Sequence, residues 1–250
     1  LLDTDKTYEV SARFGVRTDT SDAAGEVIAT KPIAFTLTEL QAAIVKLSGP
    51  QLQVPTMYSA LKYQGQPLYK YARQGITVPR EARPITIFQF ELLAFDGQDA
   101  RFIVHCSKGT YIRTLIDDLG EILGCGAYVT GLHRTQVGPF TAAQMQTTEA
   151  LEPLNQAADW QALDQLLLPM DWALQGLPTL SLQPVQWQRL VHGQSVELTA
   201  DMQAELPELP LDAIKLYDEN QQFIGIGRAD SQFLTVRRLL NTSARQVTEN

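Results

Sequence analysis

His105-Cys106-Ser107-Lys108-Gly109-Thr110-Tyr111-Ile112-Arg113-Thr114-Leu115-Ile116-Asp117-Asp118 decides how the rest of the chain is read. Upstream, Ala100-Arg101-Phe102-Ile103-Val104 alternates apolar and polar residues, which is the period of a strand. Downstream, Leu115, Ile116, Leu119, Ile122 and Leu123 recur at helical spacing and predict a helix over residues 114–123. Gly109 then stands in a strand-to-helix turn, where the missing Cβ lets backbone approach a ligand. The helix start offers free N–H groups, and Lys108 and Arg113 bring positive charge, so the motif reads as a grip for an anion.

On its N-terminal side, a strand over residues 85–94 and a turn at Asp96-Gly97 make a hairpin with the motif strand. Residues 7–15 alternate like a strand inside a sheet, and residues 16–25 form a polar loop dense in turn formers. Residues 38–47 predict a helix with Thr38 as N-cap, and residues 68–74 a second one stopped by Gly75. Beyond the motif, Gly124-Cys125-Gly126 turns the chain into a strand over residues 129–140 that carries Leu132 and Arg134. Residues 147–168 read as helical and acidic, with Leu163, Leu166 and Leu167 as an apolar stripe. Residues 169–172 read as a linker or docking segment. From Pro178 onward, short alternating runs at 179–182, 195–198, 213–217, 223–229 and 233–239 predict a small, mostly β domain.

Composition sets the limits. With 250 residues and 44% hydrophobic content the chain can bury a sizeable core. Its apolar runs are too short for a membrane span and no secretory leader opens it, so the expectation is a soluble protein. Cys106 and Cys125 are too few for a disulfide framework or a zinc site, and with only three histidines no metal is expected; a reduced cytoplasmic setting follows. The formal net charge is −8, yet residues 143–220 alone hold twelve acidic residues against Arg189 and Lys215, which leaves about +2 for everything else. Between residues 62 and 83, Lys62, Lys70, Arg73, Arg80 and Arg83 stand against Glu81 alone and alternate with Tyr63, Tyr69 and Tyr71. Such a stretch suits RNA, with cations for phosphates and rings for bases; it equally suits a solvated helix face.

Four stretches carry a resemblance that covers nearly the whole chain. Residues 105–120 with the motif above, Arg17-Thr18-Asp19-Thr20-Ser21-Asp22, Val54-Pro55-Thr56-Met57-Tyr58-Ser59-Ala60-Leu61-Lys62 and Pro79-Arg80-Glu81-Ala82-Arg83-Pro84 resemble, in order, the bacterial TruB family of tRNA pseudouridine synthases. The C-terminal β segment resembles the small PUA-like domain that closes these proteins. The resemblance implies an α+β fold: a mixed, largely antiparallel sheet with flanking helices, plus the small β domain. It divides the chain into a catalytic portion at 1–145, an acidic helical connector at 146–176 and the PUA-like domain at 177–250. It also implies an enzyme that flips a uridine of the TΨC arm of tRNA out of its stack and rejoins the base through carbon, with no cofactor and no obligate protein partner.

Site residues carry over by position. Tyr8 matches the active-site tyrosine, whose ring stacks on the flipped base and whose hydroxyl is placed for proton transfer. Arg113 matches the arginine that holds the catalytic aspartate through its planar fork. Asp22 is the expected polar partner of Arg113 or Tyr8. Tyr111 and Leu132 line the base pocket, and Arg17, Thr20 and Tyr58 join the substrate-binding set. Lys62, Arg80, Arg83 and Lys108 are the expected phosphate contacts. His105 and His133 are expected to be structural.

One departure matters. The family's nucleophilic or sugar-directed aspartate sits in a Gly-, Thr- and Leu-rich motif upstream of the Tyr8 strand, and these 250 residues contain no such motif. With no initiator methionine, the expectation is a fragment of a longer protein rather than a shortened relative. The alternative function is then a non-catalytic tRNA-binding or tRNA-folding module.

Overall fold

The computed structural model describes residues 1–240; residues 241–250, the end of the expected PUA-like domain, lie outside the described residues. In the first unit the elements run β1 (Lys6–Phe14), β2 (Val16–Thr18), β3 (Val27–Thr30), α1 (Leu37–Lys46), β4 (Gly49–Gln53), β5 (Lys62–Tyr63), β6 (Gln66–Pro67), α2 (Leu68–Ala72), β7 (Arg83–Phe95), β8 (Asp99–Cys106), α3 (Ile112–Ile122), β9 (Ala127–Val137) and β10 (Phe140–Thr141). Six of the strands form one sheet in the order β10-β9-β1-β8-β7-β4, and every pairing in it is antiparallel. β1 lies inside this sheet because its alternation is strict: Tyr8, Val10, Ala12 and Phe14 are buried, and the residues between them are half-buried. The buried face packs in one core with Leu40, Ala43 and Ile44 of α1 and with Ile112, Leu115, Ile116 and Leu119 of α3.

α3 begins at Ile112, two residues before the spacing of its leucines predicts, so Ile112 and Arg113 lie on the helix and not in the turn. Two contacts settle this start: the Leu115 N–H donates to the Tyr111 carbonyl at 3.1 Å, and Ile112 continues the buried stripe one turn earlier. Gly109 does take the left-handed conformation expected of the turn, with φ of 79°. The N-cap of α1 is Thr36 and not Thr38: Glu39 accepts from the Thr36 N–H at 2.7 Å while Thr36 Oγ1 accepts from the Glu39 N–H at 3.3 Å. The polar loop also holds a short strand, since β2 pairs with β3 as a hairpin.

The second unit begins at residue 146. It contains α4 (Thr148–Gln156), α5 (Trp160–Gln165), β11 (Thr179–Ser181), α6 (Pro184–Val191), β12 (Val196–Glu197), α7 (Ala200–Glu205), β13 (Leu211–Tyr217), β14 (Phe223–Ala229) and β15 (Phe233–Leu239). The helix expected over 147–168 is two short ones, because Ala158 takes φ of 51° and Asp159 caps a new start, accepting from the Ala162 N–H at 3.0 Å. The expected Leu163-Leu166-Leu167 stripe is not a packing face: Leu166 and Leu167 lie beyond α5 and are exposed. Five strands form a sheet ordered β11-β13-β14-β15-β12, whose core also takes Leu190 from α6 and Met202 from α7. Asp171 accepts a hydrogen bond from the Tyr217 hydroxyl and faces Lys215 Nζ at 3.6 Å, tying the 169–172 segment to β13. No helix among the described residues is long and apolar enough to cross a membrane.

Candidate active site

The loop between β2 and β3 delivers Asp22. Ser21 sits at φ of 58°, a turn that costs a non-glycine residue about 1 kcal/mol. The turn is held by a Ser21 carbonyl that accepts from the Val129 N–H of β9 at 3.0 Å. Asp22 Oδ1 accepts from Thr20 Oγ1 at 2.6 Å and from the Ala24 N–H at 3.1 Å, and Oδ2 accepts from Arg113 Nη1 at 2.7 Å. Burial pushes this carboxyl up, but the hydrogen bonds from Thr20, Arg113 and Ala24, with the Arg113 charge, outweigh it and hold Asp22 below its usual range. Asp22 therefore stays charged at neutral pH.

Arg113 joins three segments. Its Nη1 holds Asp22 of the loop, its Nη2 donates to the Tyr58 carbonyl at 2.9 Å, and its own backbone belongs to α3. The Tyr58 hydroxyl in turn donates to Asp19 Oδ2 at 2.7 Å, which closes a ring of contacts back to the same loop. The hydrogen bond to Asp19, with burial, raises the Tyr58 phenol above its ordinary value. The Tyr111 backbone is fixed from both sides by one side chain: Gln53 Oε1 accepts from its N–H at 2.8 Å and Gln53 Nε2 donates to its carbonyl at 3.1 Å.

Tyr8 pairs across the sheet with Val104 of β8 and Arg134 of β9, and its hydroxyl oxygen accepts from Arg134 Nε at 3.2 Å. Leu132 stands opposite Val10 in the same register and is 48% exposed, unlike the core leucines of this unit. Leu132 thus puts an exposed apolar side chain on the face of the sheet that carries Tyr8.

The remaining expected residues fall into two groups. Arg17 holds Asp117 through both carboxylate oxygens at 2.7 and 2.8 Å and meets Glu121 at 3.1 Å, so its fork is occupied by α3. Lys108 pairs with Asp3, and Arg80 Nη1 donates to the Pro55 carbonyl at 2.9 Å while its buried Nε has no protein partner. Lys62 and Arg83 are exposed and, with Tyr63, Leu68 and Arg80, line a cavity of about 330 Å³. The aromatic residues of this stretch partly engage one another, with Tyr63 against Tyr71 at 5.9 Å and Arg73 5.4 Å from the Tyr69 ring.

Sequence reasoning missed Gln53, Asp19 and Arg134 as parts of the site. Asp19 lies inside the Arg17–Asp22 stretch and Arg134 is a basic residue on the strand that pairs with the Tyr8 strand, whereas Gln53 has no visible signal. His105 packs its ring against Phe88 at 5.0 Å, and the described residues hold no group of histidine, cysteine and acidic side chains fit for a metal.

Asp118, next to the Arg17 anchor, is pushed from 3.8 up to about 6, first by burial and then by the Asp117 charge, against the pull of Arg17. A carboxyl whose folded value is raised binds its proton more tightly when folded, so its ionisation removes stability as pH rises from about 4 to about 6. Asp118→Asn is expected to stabilise the chain by about 1–2 kcal/mol at neutral pH and to give no gain below pH ~4. Thermal midpoints measured across that range check this, and an equal gain at both ends would contradict it.

Family models match in chain order: TruB family pseudouridylate synthase, N-terminal domain, over residues 1–112; tRNA pseudouridylate synthase B C-terminal domain over 113–175; and pseudouridine synthase II TruB, C-terminal, over 178–240. All three describe one class, the pseudouridine synthases. Similar chains include the tRNA pseudouridine synthase B of Shewanella sp. (strain MR-4), 47% identical over 246 residues, which covers 96% of this chain and 76% of that one. That of Pasteurella multocida (strain Pm70) is 47% identical over 230 residues, covering 92% and 73%. The chain belongs to the TruB family. Its fold is shared by chains in the crystal structure of a Cbf5-Nop10-Gar1 complex, with TM-score 0.64 and 19% identity, and in an H/ACA RNP bound to a substrate RNA containing 2'-deoxyuridine, with 0.65 and 17%. Each alignment covers 96% of this chain and 67% of the other.

Proposed function

We propose that this chain carries the RNA-binding and base-positioning part of a tRNA pseudouridine synthase that isomerises a uridine of the TΨC arm. The observation that carries the reading is the Arg113 side chain, whose two terminal nitrogens are braced by Asp22 and the Tyr58 carbonyl. A guanidinium fixed in this way can hold a further carboxylate at its edge. Its relatives' name, tRNA pseudouridine synthase B, supplies the substrate class. In the reaction Tyr8 stacks on the flipped uracil and serves proton transfer, Leu132 and Tyr111 wall the pocket, and Thr20 orients Asp22. Exposed Lys62 and Arg83 contact phosphates, as do Arg80 and Lys108 once released from Pro55 and Asp3. A cytoplasmic setting follows from a tRNA substrate.

A second reading, a tRNA-binding or tRNA-folding module without isomerase activity, is favoured by one observation. Asp3, Asp19, Asp22 and Asp117 each already engage Lys108, Tyr58, Arg113 or Arg17, and no Gly-Thr-Leu-Asp-like motif occurs in the 250 residues. The RNA reading itself is tested by Lys62→Gln with Arg83→Gln. Binding of a TΨC stem-loop transcript is expected to lose about two units of salt slope, close to one per phosphate contact removed. An unchanged slope would refute the phosphate assignment.

A further inference from the structure

We propose that Arg134 bridges Tyr8 and an RNA phosphate beside the target nucleotide, so that backbone binding fixes the orientation of the active-site tyrosine. The proposal rests on the RNA reading above and adds a residue that the resemblance did not assign.

Arg134 differs from four arginines of β1, β2, β8 and α3, each of which faces a carboxylate. Arg13 faces Asp99, Arg17 faces Asp117, Arg101 faces Glu9 and Arg113 faces Asp22. Arg134 forms no ion pair among the described residues; its Nε donates to the Tyr8 hydroxyl oxygen, and its guanidinium carbon lies 5.3 Å from the Tyr8 ring centre. The pairing is built into the sheet, because Tyr8 and Arg134 are cross-strand partners next to a register shift between Thr7 and Tyr8.

Donor and acceptor chemistry gives the arrangement its direction. A guanidinium has five N–H donors and no acceptor, so the Tyr8 oxygen must accept and its own hydrogen must point away from Arg134. Tyr8 donates to no group among the described residues, which leaves that hydrogen for a substrate atom. On the Arg134 side one N–H is engaged and the Nη1 and Nη2 groups are not, while the residue is exposed. Two parallel N–H groups on a cation without a carboxylate partner match two oxygens of a phosphodiester. A phosphate there pins the guanidinium, and the guanidinium pins the Tyr8 oxygen. Arg134 is thus a positioning residue that makes the tyrosine responsive to an RNA backbone and not to a free nucleoside.

The test uses the 250-residue chain labelled with carbon-13 at tyrosine Cζ, the Tyr8 signal being assigned by Tyr8→Phe, and a TΨC stem-loop transcript as the probe. In the unsubstituted chain, RNA is expected to move the Tyr8 signal. In Arg134→Gln the salt slope of binding is expected to fall by about one and the Tyr8 signal to stop responding to RNA. Arg134→Lys keeps the charge but not the fork, and is expected to keep the slope while losing the Tyr8 response; it carries the test if the glutamine variant does not fold. An unchanged slope in Arg134→Gln, or a Tyr8 response that survives in both variants, overturns the proposal. If the unsubstituted chain does not bind the transcript, the RNA reading itself fails, and this proposal fails with it.

Discussion

Gly120→Ala is expected to lower the thermal midpoint of the first unit by roughly 5–10 °C, equivalent to about 2–3 kcal/mol. Gly120 lies on the buried side of α3 where the helix meets the start of β9. A Cβ added there would fall well inside contact distance of the Ala127 backbone nitrogen and the Gly126 carbonyl carbon. The Gly126 N–H also donates to the Gly120 carbonyl at 2.9 Å, so helix and strand are joined at the same point. The obstacle is backbone and not the end of a flexible side chain, so α3 itself must move. That movement would also carry Arg113 away from Asp22. Differential scanning calorimetry measures the effect, and a midpoint within about one degree of the unsubstituted chain would show that α3 is not pinned against β9.

Arg113→Lys is expected to cut turnover by at least ~100-fold in a chain that carries the aspartate motif, with little change in transcript affinity. Lysine keeps the positive charge but presents one nitrogen where arginine presents two. It can satisfy Asp22 or the Tyr58 carbonyl, not both along with a further carboxylate. The phosphate contacts proposed for Lys62 and Arg83 are untouched by this change. Single-turnover formation of pseudouridine in a stem-loop transcript, with binding measured in parallel, separates the two effects. Near-normal turnover would contradict the clamp assigned to Arg113.

Local periodicity makes much of the fold legible in the amino-acid sequence. The alternation in residues 7–15 marks a strand, and β1 at Lys6–Phe14 lies inside the sheet. The spacing of Leu115, Ile116 and Leu119 marks α3, although it puts the start two residues late because Ile112 reads as part of the turn. Where two local signals compete, the residues alone do not choose. Thr36 with Glu39 and Thr38 with Gln41 both have capping-box spacing, and the structure takes the first, whose carboxylate is the stronger acceptor at a helix start. The break at Ala158 is hidden because alanine favours helix, while the competing signal is Asp159, a good N-cap.

Within the site, partners distant in sequence are the illegible part. That Arg17 is occupied by Asp117, 100 residues away, cannot be read from either stretch alone, and the same holds for Gln53 with Tyr111. The choice of Arg113 over Tyr8 as the partner of Asp22 likewise needs the loop to be anchored on β9 through Ser21 and Val129. Motifs locate the chemistry-bearing residues; the contacts that orient them come only with the fold.

The anion grip expected at residues 105–118 is sharpened accordingly. Lys108 and Gly109 stand in the turn, but Arg113 lies on α3, held by Asp22 and the Tyr58 carbonyl, the brace proposed above for a further carboxylate. The most direct measurement of that claim is to incubate the purified 250-residue chain with a TΨC stem-loop transcript and assay both binding and pseudouridine. The predicted result is salt-dependent binding without product; pseudouridine in the transcript would place the nucleophile within these residues and contradict the account.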